Sequence, residues 1–386
     1  MNHQLFQRYP AISDLKLRAK RRLPHFSWEY LDSGTGREHG LSRNESALQG
    51  ITLLPRLMKG SQRASLETEL FGTQYKAPFG LAPVGLTGLM WPGIEKLLAR
   101  TAKDYGIPYC LSTVATETPE TIGPIVDGMG WYQLYPPNDP EIRRDMLARA
   151  KEAGFTTLVV TADTPVQSQR ERQKRAGVSV PPKRELRTYI TAALHPSWSI
   201  ATLQYGLPRF RTMEKYVDAT DIAEIGAYMN ANMGTIDWNY LKETRKEWDG
   251  PILIKGILSP SDARQCIDCG ADGVVVSNHG ARQFDGSPGA IDALPAIVEA
   301  VAGTAKVVFD SGIRGGLDIC RALALGADFV LLGRAFVYGA AALGQQGSNH
   351  VADLLLADMN SNLGNLGCTD LQDLPAYLAT KPNWPT

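Results

Sequence analysis

Cysteine is scarce in this chain: Cys110, Cys266, Cys269, Cys320 and Cys368 are the five among 386 residues. An odd number spread over so long a chain argues against a disulfide scaffold and for reduced thiols, as in a cytosol. Cys266 and Cys269 form a C-x-x-C, but no second pair follows at zinc-ligand spacing. They read as neighbours on one helix face, and no metal is assigned. Net charge is also lacking, since 40 Lys and Arg balance 40 Asp and Glu. No global field therefore recruits nucleic acid or an acidic surface, although a local basic patch stays open.

Long apolar runs are missing too. A spanning helix needs about 20 consecutive apolar residues, and the richest C-terminal run is interrupted by Arg334. The opening stretch, MNHQLFQRYPAISDLKLRAKRRLP, has no apolar core ahead of its charges, so no secretory signal is read and a cytoplasmic location is expected. Internal repeats at solenoid periods, low-complexity tracts and a G-x-G-x-x-G fingerprint are absent as well.

What is present is a rhythm. With 44% hydrophobic residues there is ample material for a large core. From residue 79 onward, short apolar runs alternate with amphipathic segments. The runs are Phe79–Val84, Ile107–Ser112, Trp131–Tyr135, Thr157–Thr161, Ile252–Gly256, Gly273–Ser277, Lys306–Phe309 and Asp328–Leu332. Helical periodicity fills intervals such as Ile94–Tyr105, Ile142–Ala153, Pro260–Cys269 and Gly316–Leu325. Continuously apolar strands fit parallel strands covered on both faces. Eight of them with helices between predict a (β/α)8 TIM barrel in one domain spanning 1–386. Residues 1–75 read as a helical extension capping one end. Residues 164–250 exceed what one crossover needs and read as a functional insertion after the fourth strand.

In such a barrel chemistry belongs at the C-terminal ends of the strands, and polar residues collect there. Ser277-Asn278-His279-Gly280-Ala281-Arg282 is the most informative stretch. His279 titrates near neutrality, as a general base must, and Arg282 offers a planar fork for a carboxylate. The alternative is a structural His with Arg in a surface ion pair. After strands seven and eight, Asp310-Ser311-Gly312-Ile313-Arg314 and Gly333-Arg334 combine glycine and arginine where barrels commonly hold a phosphate. Lys255 inside an apolar strand needs an anionic partner, a Schiff-base role or an outward path. The run Arg170–Arg175 reads as a solvated face, and Tyr30 and Tyr135 as ordinary aromatics.

These segments, in this order, resemble the FMN-dependent (S)-2-hydroxy acid dehydrogenase/oxidase family. The likeness spans nearly the whole chain. It rests on Trp28-Glu29-Tyr30-Leu31-Asp32-Ser33-Gly34, Leu81-Ala82-Pro83-Val84-Gly85, Tyr132-Gln133-Leu134-Tyr135, Thr161-Ala162-Asp163-Thr164-Pro165, Ile254-Lys255-Gly256, the His279 segment and Asp310–Arg334. Within the family it is most similar to the mandelate and respiratory lactate dehydrogenases, through Gly85-Leu86-Thr87-Gly88 and Leu194-His195-Pro196-Ser197-Trp198.

The resemblance implies that His279 takes a substrate proton and that Asp163 steadies its charged form. It implies that Arg170, Arg282 and Tyr30 hold the substrate carboxylate, while Tyr135 bonds near the reacting oxygen. Lys255 is implied beside the flavin N1–C2=O edge. Gln133, Thr161, Ser112, Ser277 and the backbone of Ala82, Pro83 and Val84 are implied at the ring. Arg314, Gly333, Arg334 and Gly312 are implied at the phosphate, with Asp310 at the ribityl chain. These roles displace the plain readings of Arg170, Tyr30 and Tyr135.

The departures are Ala281 for a common glycine, Ser168 for another, Val114 for an aromatic of the oxidases, and Gly85 for their alanine. An alanine at 281 strains or clashes if φ there is positive, and Ser168 leaves the placing of Arg170 open. Gly85 favours a dehydrogenase over an oxidase that makes peroxide; an FMN-dependent isomerase and a peptide-modifying relative are the remote alternatives. The insertion carries an apolar stretch, residues 183–203, opening on Lys183, Arg184 and Arg187, whose Trp, Leu and Ile suit either a peripheral membrane contact or a lid packed on the barrel. The likeness further implies a quinone or other electron acceptor and a homotetramer.

Overall fold

The computed structural model describes residues 2–58, 63–178, 185–217, 231–233 and 236–379. Eight parallel strands close into a barrel: β1 Phe79–Leu81, β2 Tyr109–Ser112, β3 Gly130–Leu134, β4 Thr157–Thr161, β5 Ile252–Ile257, β6 Gly273–Val276, β7 Lys306–Phe309 and β8 Phe329–Leu332. Each pairs with its neighbour in sequence, and β8 closes on β1 through Val330–Phe79 and Leu332–Leu81. The eight expected runs are these strands, with ends shifted by up to three residues. Helix Pro140–Glu152 starts two residues before the expected boundary because Asp139 caps it and Pro140 takes the first turn.

Side chains alternate along a strand, and in a barrel one set faces inward. Cys110, Trp131, Val159, Leu253, Val275, Val308 and Phe329 form one interior apolar cluster. Two positions further along the same strands come Ser112, Gln133, Thr161, Lys255, Ser277 and Asp310. The barrel is thus apolar at its base and polar at its C-terminal mouth. Period two alone builds that gradient.

The outer core lies between strands and helices. The extension before residue 75 serves both ends of the barrel. Its helices Ile12–Arg22, His25–Asp32 and His39–Gly50 lead to the mouth, where Tyr30 and Leu31 line a cavity. A hairpin, Thr68–Leu70 with Thr73–Tyr75, plugs the other end. Leu70 and Tyr75 join the interior cluster, and the Trp131 indole N–H donates to the Tyr75 hydroxyl at 3.0 Å. That hairpin was not expected from the sequence, which shows loop there.

The long β4–β5 connection holds helices Glu171–Arg175, Leu186–Ala193 and Pro196–Tyr205, then Trp238–Glu247. The last is the barrel's own crossover helix, fastened by the nearly buried Arg143–Glu247 pair at 2.6 Å. The insertion proper therefore ends before it. Lys183 and Arg184, and the side chain of Arg187, lie outside the described residues. Among the described residues no helix is long and apolar enough to cross a membrane.

Candidate active site

A cavity of about 420 Å³ opens at the C-terminal mouth. It lies within the size range of small-molecule sites.

Its reactive wall is the turn after β6. His279, Gly280 and Ala281 all have positive φ (56°, 59° and 59°). Left-handed backbone at a residue bearing a Cβ costs on the order of 1–3 kcal/mol, so neighbours must hold it. Ser277 Oγ accepts from His279 N at 3.0 Å, and Ser311 Oγ from Gly280 N at 3.2 Å. Asn278 Oδ1 accepts from Ala281 N at 3.1 Å, while Asn278 and Asn44 exchange side-chain bonds at 2.7 and 2.9 Å. The alanine at 281 thus occupies the strained conformation foreseen for a glycine, with its carbonyl accepting from Thr35 N at 3.1 Å.

The turn aims the His279 ring inward. Its Nδ1 lies 2.9 Å from Asp163 Oδ1, and its Nε2 lies 3.5 Å from the Tyr135 hydroxyl. A carboxylate at Nδ1 keeps the proton there and leaves Nε2 with a free lone pair. Burial lowers the His279 pKa below the usual 6.5, with Asp163 opposing and Lys255 and Arg170 reinforcing. The imidazole is therefore neutral near pH 7, as a base should be. For Asp163, burial works against ionisation, yet His279 and Lys255 prevail and hold its pKa low. Gly256, at φ 102°, lets this carboxylate approach β5, because a Cβ there would sit 2.4 Å from Asp163 Cγ. Burial pushes the Tyr135 phenol up to about 12, so it stays protonated.

Lys255 is buried, with Nζ 2.9 Å from Ser277 Oγ and 3.1 Å from Asp310 Oδ2. Burial disfavours its charge, but Asp310 and Asp163 outweigh burial and raise its pKa. It points into the barrel mouth, so the outward path is excluded. Ser112, Gln133 and Thr161 form a chain across three strands, with Ser112 Oγ to Gln133 Oε1 at 2.6 Å and Gln133 Nε2 to Thr161 Oγ1 at 2.9 Å.

Two arginines face the same space. Arg282 Nη1 donates to the carbonyls of Tyr30 (2.8 Å) and Ser33 (3.1 Å), and its guanidinium lies 5.1 Å from the Tyr30 ring centre. Burial, helped by Arg170, lowers its pKa to about 9. Arg170 leaves the solvated face suggested by its charged neighbours and lines the cavity. The neighbour that is latched elsewhere is Arg172, which bonds Glu29 and Glu38 at 2.5 and 2.9 Å and ties this segment to the helix carrying Tyr30. Among the described residues neither Arg170 nor Arg282 has a carboxylate partner. Two buried or half-buried cations without a described counter-ion suit an anionic ligand.

At the far side, Pro83, Val84, Gly312, Arg314, Gly333 and Arg334 line the cavity, with Ala82 at the end of β1. Arg334 donates to the carbonyls of Leu31, Gly280 and Ser33 at 3.0–3.1 Å. That leaves two of the five guanidinium donors. Arg314 reaches Glu45 at 3.7 Å, a partly exposed and weak pair. Asp310 sits on Lys255, accepts from Ser311 Oγ at 2.9 Å and lines the same cavity. The donor set still suits FMN: polar strand ends for a flat, polar-edged ring, and glycine turns with two arginines for a phosphate. Asn44, Thr35, Ser311 and Gln283, and the apolar liners Met90, Phe210 and Met233, escaped the sequence. Gln283 and Ser311 stood inside the informative segments; Asn44 and Met233 left no local signal.

A (β/α)8 barrel with a His–carboxylate pair, a buried lysine and, among the described residues, arginines without a carboxylate partner at its mouth has the donor set that a flavin-linked oxidoreductase needs. The chain belongs to the FMN-dependent dehydrogenase family, whose model matches residues 19–380. It is 42% identical over 374 residues to the L-lactate dehydrogenase of Ectopseudomonas mendocina (strain ymp), covering 96% of this chain and 98% of that one. It is 43% identical over 367 residues to that of Stenotrophomonas maltophilia (strain K279a), covering 94% and 97%. Among solved structures it is similar to the monotopic membrane protein (S)-mandelate dehydrogenase, with TM-score 0.91, 36% identity and coverage of 96% and 99%. A mandelate oxidase with benzoyl-formic acid gives TM-score 0.81, 32% identity and coverage of 97% and 98%.

Proposed function

We propose that the enzyme oxidises an (S)-2-hydroxy acid, mandelate- or lactate-like, to the 2-oxo acid. The observation that carries this is the convergence on the cavity that holds the His279–Asp163 pair of two arginines, Arg170 and Arg282, that have no carboxylate partner among the described residues. The arginines and the Tyr30 phenol, whose hydroxyl lies 3.3 Å from the Gly85 carbonyl, hold the substrate carboxylate. His279 Nε2 takes the proton from the hydroxyl or the α-carbon, and Asp163 stabilises the imidazolium that results. Tyr135, protonated at neutral pH, donates towards the reacting oxygen. Bound FMN supplies a two-electron acceptor. Lys255 places a fixed positive charge where the cofactor gains negative charge, and Gln133, Thr161, Ser112, Ser277 and the Ala82–Val84 backbone hold its ring. Arg314, Gly312, Gly333 and the remaining donors of Arg334 serve the phosphate. Leu86, Met90, Val114, Phe210 and Met233 form an apolar wall suited to the substrate's side chain.

The test is anaerobic bleaching of the flavin by a panel of glycolate, lactate, mandelate and longer 2-hydroxy acids. Bleaching by none of them overturns the reading. Electrons pass to a quinone or similar acceptor in this proposal, and rapid reoxidation in air after bleaching would favour an oxidase instead.

The same reading includes a peripheral membrane contact. Helices Leu186–Ala193 and Pro196–Tyr205 expose Leu186, Leu194 and Leu203 at 76%, 73% and 86%, together with Tyr189, Ile190 and Ile200. Trp198 packs inward against Phe26, so one side is fastened and the other left apolar to solvent. Such a face suits the headgroup boundary of a bilayer. Co-sedimentation with vesicles of an acidic phospholipid, lost in Leu194→Glu/Leu203→Glu, is the expected result. A homotetramer, implied by the family likeness, is checked by light scattering.

A further inference from the structure

Ser168 stands two residues before Arg170, at a position where the family likeness implies glycine. Its hydroxyl has one proton and two lone pairs. The proton goes to the Arg282 carbonyl at 2.6 Å, the closer of two acceptors, and Oγ accepts from Arg170 Nε at 2.9 Å. Gln283 Oε1 takes Arg170 Nη2 at 2.7 Å and lies 3.2 Å from Ser168 Oγ. The Gln283 amide nitrogen in turn reaches the carbonyls of Asp163 and Val166 at 3.5 and 3.4 Å. One edge of the Arg170 guanidinium, Nε with Nη2, is thus gripped by two oxygens in the geometry a carboxylate would use. Both oxygens are neutral.

That neutrality matters. A carboxylate in either place would cancel the cation and compete with any anionic ligand. A hydroxyl and an amide orient the group while leaving its charge in the cavity, with Nη1 bonded by no described residue. The same two side chains touch the backbone of Arg282 and Asp163, so both anchors and the base's partner share one framework.

We propose that Ser168 and Gln283 are positioning residues that hold Arg170 by its side-on edge with neutral acceptors, presenting its remaining N–H groups and its charge to the substrate carboxylate. This rests on the reading above that Arg170 receives that carboxylate. Losing one such bond should weaken the productive pose about tenfold. Adding a competing charge should cost far more.

The experiment uses the FMN-loaded enzyme and the best substrate of the hydroxy acid panel, with the corresponding 2-oxo acid and its uncharged primary amide as binding probes. Ser168→Ala is expected to raise KM and the Kd of the 2-oxo acid about tenfold, leaving the saturated rate of flavin bleaching within threefold and the Kd of the amide unchanged. Ser168→Thr, which keeps the hydroxyl, should restore KM. Gln283→Glu, which preserves shape and adds a charge, should raise KM at least a hundredfold at pH 7 and recover as pH falls towards the carboxyl's titration. If Ser168→Ala and Gln283→Glu leave the 2-oxo acid's affinity within twofold, or weaken acid and amide alike, the proposal fails. Should the wild-type enzyme bleach with no 2-hydroxy acid, the functional reading itself fails, which is a separate outcome.

Discussion

Replacing Asp163 with Asn removes a charge while keeping an acceptor for His279 Nδ1–H. At 2.9 Å, an effective dielectric of 20 sets a ceiling of about 6 kcal/mol on the attraction between Asp163 and a protonated His279. Hydrogen bonds to charged groups contribute about 1.5–3 kcal/mol net, and that smaller range governs, because the buried pair already bears a desolvation cost. Any transition state in which His279 gains positive charge then rises by that amount, slowing flavin reduction by roughly 10- to 150-fold. The pH profile supplies an independent readout. A base works only when neutral, so its activity is present above its pKa and lost as pH falls through it. Burial already holds the His279 pKa below 6.5, with Asp163 as the main opposing influence. Without that carboxylate the pKa drops further, and the acid limb of the reduction rate moves to lower pH while the plateau falls. Stopped-flow bleaching under anaerobic conditions across pH 4.5–8 measures both. A plateau within twofold of wild type, or an acid limb displaced to higher pH, would refute the assignment of His279 as base and Asp163 as its support.

Arg282→Met should raise KM for the hydroxy acid by roughly 10- to 150-fold, the equivalent of one charge-assisted bond, with FMN content unchanged by absorbance. Lys255→Met leaves Asp310 buried without its cation and removes the fixed charge at the barrel mouth. The flavin potential, followed by dye-linked reduction, should fall by roughly 30–60 mV. Gly85→Ala would place a Cβ 2.5 Å from Val114 Cγ2. It should therefore destabilise by about 1–3 kcal/mol as overpacking does, with thermal unfolding showing recovery in the Gly85→Ala/Val114→Ala double variant.

Some of this molecule is written locally. Parallel, doubly covered strands must be continuously apolar, so each barrel strand was visible as a run, and the inward period of two carries polar residues to the mouth. Ser112, Gln133, Thr161, Lys255 and Ser277 could be placed there without any tertiary information. His279 is legible for the same reason, because it follows a strand directly and its turn residues are adjacent to it.

Other features depend on chain segments that meet only after folding. Arg170 sits in a run of charges indistinguishable from a solvated face; what separates it from Arg172 is that Glu29 and Glu38 arrive from the N-terminal helices to pair with the second and not the first. The hairpin Thr68–Tyr75 is too short for its pattern to stand out, and its role exists because Trp131 and Phe329 meet Tyr75 inside the barrel. The left-handed turn at Ala281 looks unfavourable by itself and is held by Asn44, more than 230 residues away, through Asn278. The sequence by itself determined the barrel and which polar residues stand at its mouth, since both follow from periodicity and from residues next to strand ends. Tertiary structure alone decided which cations lack a carboxylate partner among the described residues and which way they face, because a charge's partner is set by proximity in space and periodicity carries no record of it.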